Sequence, residues 1–112
     1  MTEQQRIANL IRKGYAKFGF KFGQRFYYDP DTREACPAFA AFVAEMPADI
    51  DLEELEEAEI EDCPNVENSI GQSLNVNPAL IKTISNRHNI YIGAINSLES
   101  TLELLDNDKL EF

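Results

Sequence analysis

Apolar side chains recur at helical spacing near the start of the chain. Thr2 and Gln5 have the spacing of a capping box, and the helical pattern after them predicts an amphipathic helix. The apolar positions that follow this box are Ile7, Leu10, Ile11, Tyr15 and Phe18.

Two further stretches have a helical pattern. Small apolar residues follow Cys36 and Pro37, and Pro suits the first turn of a helix, so we predict a buried central helix over 37–46. In the last third, isoleucine and leucine positions from Ile90 to Leu105 predict a long terminal helix over 89–106.

Between the first two helices, aromatic residues lead into a turn motif. Tyr27 and Tyr28 precede Asp29-Pro30-Asp31-Thr32, in which Pro30 presets the turn. We predict a hairpin of residues 25–28 with 33–36. Either an extra strand at 18–22 or an irregular end of the first helix precedes it.

These elements predict a helix-dominated α+β fold. Four or five helices would pack with a short antiparallel hairpin. At 112 residues the chain is long enough for one compact domain, 1–112, and has no room for a second.

The charge lies in one segment. Residues 45–62 contain ten carboxylates and no Lys or Arg, whereas the rest of the chain has ten acidic and ten basic side chains, so this segment accounts for the net charge of −10. The negative electrostatic field of this segment repels nucleic acid and membrane headgroups and attracts basic protein surfaces.

We therefore expect a small acidic cytosolic interaction or regulatory module that docks on a basic protein or imitates nucleic acid, and we do not expect an enzyme. A short anionic helix over about 51–59 would present the carboxylates. The predicted partner-binding residues are Asp49, Asp51, Glu53, Glu54, Glu56, Glu57, Glu59, Glu61 and Asp62.

Composition also suggests the compartment. The first six residues lack a signal-peptide pattern, and no apolar run is long enough to span a bilayer. We expect a cytoplasmic protein that does not bind membranes, in which Cys36 and Cys63 are free thiols.

Residues 67–86 resemble a helix-turn-helix. Gly71 takes the small-residue position and Asn75 the turn, where Asn tolerates the left-handed conformation. The alternative function is therefore a DNA-binding regulator, although a pI of about 4.4 lacks the usual basic footprint. Its candidate contact residues are Asn77, Lys82, Asn86 and Arg87.

A second alternative is a thiol enzyme that uses Cys36 and His88. A thiol at a helix start has its pKa lowered by the helix dipole, and the only histidine could accept its proton. The competing interpretation is that both residues only pack and cap helices, and under it the sequence contains no catalytic residue.

We expect neither a metal nor another cofactor. Asp49, Asp51 and Glu53 imitate the start of a calcium loop, but Glu54 stands where the loop needs Gly and Ile60 where it needs Glu. Two cysteines and one histidine are too few for a structural zinc site.

The turn Asp-x-x-Thr-x-x-Ala-Cys-Pro at 29–37, followed by an alanine-rich helix, loosely resembles a pattern in small uncharacterised bacterial proteins. This resemblance implies a compact helix-rich fold around a hairpin and transfers no function.

A homodimer is a further alternative. The first 34 residues have seven basic against four acidic side chains, so they could pair with the acidic segment of a second copy.

Overall fold

A computed structural model describes residues 1–24, 27–61 and 64–112, without the side chains of Glu59 and Glu61. The helices are α1 (Glu3–Phe18), α2 (Pro37–Val43), α3 (Leu52–Glu56), α4 (Val66–Leu74), α5 (Pro78–Arg87) and α6 (Leu98–Asp106). The strands are β1 (Lys21–Phe22), β2 (Tyr28–Asp29) and β3 (Glu34–Ala35). The predicted helix-dominated α+β class is confirmed, although the described residues form six α-helices rather than the predicted four or five.

Helix α1 begins at the predicted capping box. The Thr2 hydroxyl accepts a hydrogen bond from the Gln5 backbone N–H at 3.2 Å, and the Gln5 side chain accepts one from the Thr2 N–H at 3.0 Å. The helix ends at Gly19, which has a φ of 65° and donates its N–H to Tyr15. Both ends of α1 are therefore set by local sequence.

The sheet contains the predicted hairpin pairing and an additional strand. Strands β2 and β3 are antiparallel, with Tyr28 opposite Ala35. Strand β1 lies on the other side of β3 and runs parallel to it, so the strand order is β1-β3-β2. Of the predicted first hairpin strand, residues 25 and 26 lie outside the described part of the chain.

Helix α2 is the centre of the core. All seven of its residues are buried, as the small and aromatic apolar sequence predicts, although the helix ends at Val43 rather than at 46. Its closest neighbour is α1, because a Cβ on Gly14 would stand 1.9 Å from the Ala40 carbonyl oxygen. Phe39 also stacks on Tyr28, which joins α2 to the sheet.

Two of the remaining helices also pack on α2. Helices α4 and α5 pack on each other and on α2, and α6 packs on α1. A buried side-chain amide fixes the carboxyl end: Gln4 donates to the Leu110 carbonyl and accepts from the Leu110 N–H, both at 2.9 Å.

The predicted terminal helix was wrong at its start, which is at Leu98 rather than at 89. A short 3₁₀ turn, Ile90–Ile92, comes first and ends at Gly93, whose φ of 77° breaks a right-handed helix. Ser97 then begins α6 by accepting a hydrogen bond from the Ser100 N–H. Periodicity alone could not locate this interruption.

The acidic segment contains the short helix that its pattern predicts. Asp51 accepts a hydrogen bond from the Glu54 N–H at 3.1 Å and so caps the start of α3. A π-helical turn, Glu57–Glu61, continues α3. The described part of this segment therefore has a defined backbone.

Candidate docking surfaces

The basic side chains of α1 contact other parts of the fold. The Arg6 guanidinium donates to the carbonyl oxygens of Leu74 and Asn75, at 2.8 and 2.9 Å, where α4 ends. Lys17 donates likewise to Ala44 and Met46, just beyond α2. Carbonyl groups at a helix end have no partner within the helix, so these cations satisfy them.

The other two cations of α1 form ion pairs. Arg12 makes a bidentate contact with Asp106 of α6, and the Lys13 ammonium lies 2.7 Å from a Glu45 carboxylate oxygen. These contacts lower the pKa values of both carboxyl groups, mainly through the hydrogen bonds from the cations. The positive amino-terminal region is therefore largely occupied by contacts within the fold.

The acidic segment differs from α1 in this respect. Six of its carboxylates are exposed among the described residues. Glu45 pairs with Lys13, and the other five form no ion pair with Lys or Arg in that part of the chain. We call these five the acidic face: Asp49, Asp51, Glu53, Glu54 and Glu57. Glu56 is half-buried and has a partner, the side chains of Glu59 and Glu61 are not described, and Asp62 lies outside the described residues.

An apolar groove lies within the acidic face. It is lined by Ile50, Leu55 and Ala58 together with Asp51 and Glu54, and it has a volume of about 240 Å³. Leu52, on the same helix, is buried and anchors α3 to the core. Carboxylates therefore stand beside an apolar depression rather than on a uniformly polar surface.

A second exposed surface is apolar and uncharged. The side chains of Ile90, Tyr91, Ile92 and Ile95 are between 42% and 71% exposed. We call these four residues the apolar loop. Sequence periodicity had predicted three of them, the isoleucines, on the apolar stripe of the terminal helix, so this surface was not foreseen.

Hydrogen bonds hold the apolar loop in place at both ends. The Ile90 N–H donates to the Gln24 carbonyl at 3.0 Å, and the Asn96 N–H donates to the Arg87 carbonyl at 3.2 Å. The Asn89 side chain also accepts from the Tyr91 N–H. Large apolar side chains on an ordered surface are typical of interaction sites.

The buried side chain of His88 contacts the end of this loop. The ring is buried, its Nδ1 lies 3.0 Å from the Asn96 carbonyl, and its Nε2 lies 2.8 Å from the Thr101 hydroxyl. Because the carbonyl only accepts, Nδ1 carries the proton and Nε2 accepts from Thr101. Burial lowers the pKa of His88 to about 4, so the ring is neutral at pH 7.

Cys36 is buried at the start of α2. Burial raises the pKa of its thiol to about 11, and this effect exceeds the opposing one of the backbone N–H groups of Ala38 and Phe39. The shift is opposite to the lowering that the thiol-enzyme alternative expects. Cys63 lies outside the described residues.

No hydrogen bond in the described part of the chain joins Cys36 to His88. Both ring nitrogens of His88 are already bonded to Asn96 and Thr101. The thiol instead lies close enough to Tyr15 and Tyr27 to raise the pKa of each hydroxyl, although burial raises them more.

The predicted helix-turn-helix residues form two helices joined by a left-handed turn. Asn75 has a φ of 56°, and a Cβ on Gly71 would lie 3.0 Å from the Val76 carbonyl oxygen, so both residues fit this turn. Asn77 caps α5, and Lys82 and Asn86 are exposed.

Arg87, the fourth predicted DNA contact, points back into the fold. It donates to the hydroxyls of Thr101 and Ser100 at 2.8 and 3.0 Å and so links α5 to α6. Within the described residues, Lys82 is the one cation of α5 that is exposed.

In the part of the chain that the structure describes, no group of three or more His, Cys, Asp or Glu side chains is placed to hold a metal ion. Within the same part of the chain, no helix has the length and apolar character needed to cross a membrane.

Comparisons with known proteins found no matching family model, no similar curated protein and no similar solved structure.

Proposed function

We propose that this protein is a small interaction or regulatory module that docks on a basic protein partner through the acidic face. The observation that supports the proposal is that these five carboxylates are exposed and that, among the described residues, no Lys or Arg side chain pairs with them. The electrostatic field of these carboxylates attracts a cationic surface over several ångströms and increases the rate of association with it.

The fold gives a defined position to the backbone that carries these carboxylates. Asp51 caps α3, the Leu55 N–H donates to the Asp51 carbonyl at 3.0 Å, and Leu52 packs into the core. An ordered charged surface loses less conformational entropy on binding than a disordered tail does. The acidic face is thus suited to specific docking.

The proposal is tested by affinity capture from a cell extract at low salt, with elution by increasing salt. The test variant replaces Asp49, Glu53, Glu54 and Glu57 by Asn or Gln. The control replaces four exposed acidic residues elsewhere, Asp31, Glu99, Glu103 and Glu111, by Asn or Gln. A basic protein retained by the intact chain and the control but lost with the test variant supports the proposal; equal retention by all three contradicts it.

A finer form of the proposal is that the acidic face imitates the phosphate backbone of nucleic acid. The captured partner would then be a DNA- or RNA-binding protein, and added duplex DNA would displace this chain from it. Failure of DNA to compete would exclude mimicry and leave docking on a basic protein standing.

DNA binding by α4 and α5 is the second candidate, and the left-handed turn at Asn75 favours it. Because Arg87 is bonded to α6, Lys82→Glu is the cleaner test of a phosphate contact. Retention of duplex DNA by the intact protein but not by this variant would support the candidate, and equal retention would contradict it.

A further inference from the structure

The apolar groove is smaller than a site for a typical small-molecule ligand. Its volume of about 240 Å³ is below the roughly 300–1,000 Å³ of ligand pockets. It is open along α3, and its apolar lining consists of Ile50, Leu55 and Ala58. A depression of this size suits a single aliphatic side chain presented by another protein.

The charge around the groove determines which kind of partner segment can present that side chain. Asp51 and Glu54 line the groove itself, and the neighbouring Glu53 and Glu57 are exposed. An apolar side chain that enters the groove would bring its flanking residues against these carboxylates. Cationic flanking residues would be attracted and acidic ones repelled.

A second copy of this chain fits that requirement less well, because its exposed lysines outside α1, Lys21, Lys82 and Lys109, are single cations in β1, in α5 and after α6. All four cations of α1 already contact carbonyl or carboxylate oxygens within the fold. The acidic faces of two copies would also repel each other. Charge complementarity therefore favours a different protein over a homodimer at this groove.

We propose that the groove binds one aliphatic side chain, leucine-like in size, from a basic segment of the partner. This inference rests on the proposed function and specifies its partner: lysine or arginine side chains pair with Asp51, Glu54 and their exposed neighbours, while the aliphatic side chain fills the groove. The carboxylates increase the association rate, and the buried side chain slows dissociation.

The test measures fluorescence anisotropy of two labelled peptides with the full chain. Both are lysine-rich helix formers, and one has a single central leucine where the other has serine. We expect the leucine peptide to bind about tenfold more tightly, as expected for burial of an aliphatic side chain, and both peptides to bind more weakly as salt is raised.

Ala58→Gln fills the groove without changing the charge. This substitution is expected to lower the affinity for the leucine peptide to that for the serine peptide, and to leave the affinity for the serine peptide unchanged. The matched control is Ala16→Gln, at an exposed position of α1, which should change neither peptide. Circular dichroism checks that both variants fold.

The outcomes separate the two proposals. Equal binding of both peptides, with loss in Glu53→Gln/Glu57→Gln, would overturn the groove and leave the acidic face standing. A preference for leucine that is insensitive to salt and to those substitutions would support the groove and overturn electrostatic docking. If neither peptide binds, both proposals fail.

Discussion

Helices α1 and α3 both carry a strong charge of one sign, but the fold uses the two charges differently. The four cations of α1 contact oxygen atoms of other elements, two at helix ends and two in ion pairs. Within the described residues, the carboxylates of the acidic face have no such cation. The charges of α1 thus stabilise the fold, whereas those around α3 remain available to a partner.

This difference follows from where the helices pack. Helix α1 has its inner face against α2 and α6, so its long side chains reach the oxygen atoms of neighbouring elements. Helix α3 has five residues and one buried side chain, Leu52. The carboxylates of Glu53 and Glu54 therefore extend into solvent.

The largest effect is expected where α1 meets the core. Gly14→Ala places a methyl group against the Ala40 carbonyl oxygen, at 1.9 Å without movement, so the backbones of α1 and α2 must separate. We expect a loss of about 3 kcal/mol in the free energy of unfolding, measured by urea denaturation. Ala16→Ser, on the exposed side of α1, should change it by less than about 0.5 kcal/mol.

A buried group directly after α5, His88, makes the stability of the fold depend on pH. The pKa of His88 falls from 6.5 to about 4 on folding, so the unfolded chain binds the proton more tightly. The neutral, buried ring therefore contributes fully to the free energy of unfolding above pH 6.5. This contribution, about 3 kcal/mol, is lost as the pH falls towards 4.

Removal of the histidine should abolish that part of the pH dependence. His88→Gln lacks the titration, whereas the carboxylates titrate in both proteins. We therefore expect the intact chain to lose about 3 kcal/mol more than the variant between pH 6.5 and 4 in urea denaturation. Parallel pH profiles for the two proteins would show that His88 ionises equally in both states.

Arg6→Met should have a smaller effect on stability. It removes both donors to the Leu74 and Asn75 carbonyl groups but keeps an apolar stem. Because the contact is partly exposed, we expect a loss of about 1–2 kcal/mol. Lys82→Met, at an exposed position of α5, is the matched control. An equal loss of stability there would show that the contacts of Arg6 with the two carbonyl groups do not stabilise the fold.

The smallest effect is expected on α3. Glu53 and Glu57 are four residues apart and repel each other, so Glu53→Gln/Glu57→Gln should raise the free energy of unfolding by about 0.2–0.5 kcal/mol. Thermal denaturation at low salt would detect this as a small rise in melting temperature. A loss of more than about 1 kcal/mol would mean that these carboxylates support the fold.

Local sequence predicted the elements whose signals are local. The capping box at Thr2, the turn after Tyr28 and the proline start of α2 each act within a few residues, and each is present. The small residues of α2 also predicted its burial. The parallel pairing of β1 with β3 depends on distant packing and could not be predicted.

The candidate surfaces were predicted only in part. Charge density identified the acidic segment, but not the groove, because Ile50, Leu55 and Ala58 line it only once α3 and the following π turn have formed. The apolar loop was mistaken for the face of a helix. Gly93 was the available signal, since glycine weakens a helix interior.

The most direct test of the central claim compares two pairs of exposed glutamates at the same helical spacing. The lysine-rich leucine peptide is titrated against Glu53→Gln/Glu57→Gln, in α3 and the π turn that continues it, and against Glu99→Gln/Glu103→Gln in α6; the two variants have equal net charge. We expect the α3 pair to weaken binding several-fold and the α6 pair to leave it nearly unchanged at physiological salt, where distant charges are screened. Equal weakening by both pairs would contradict the claim, because the peptide would then respond to net charge and not to the acidic face.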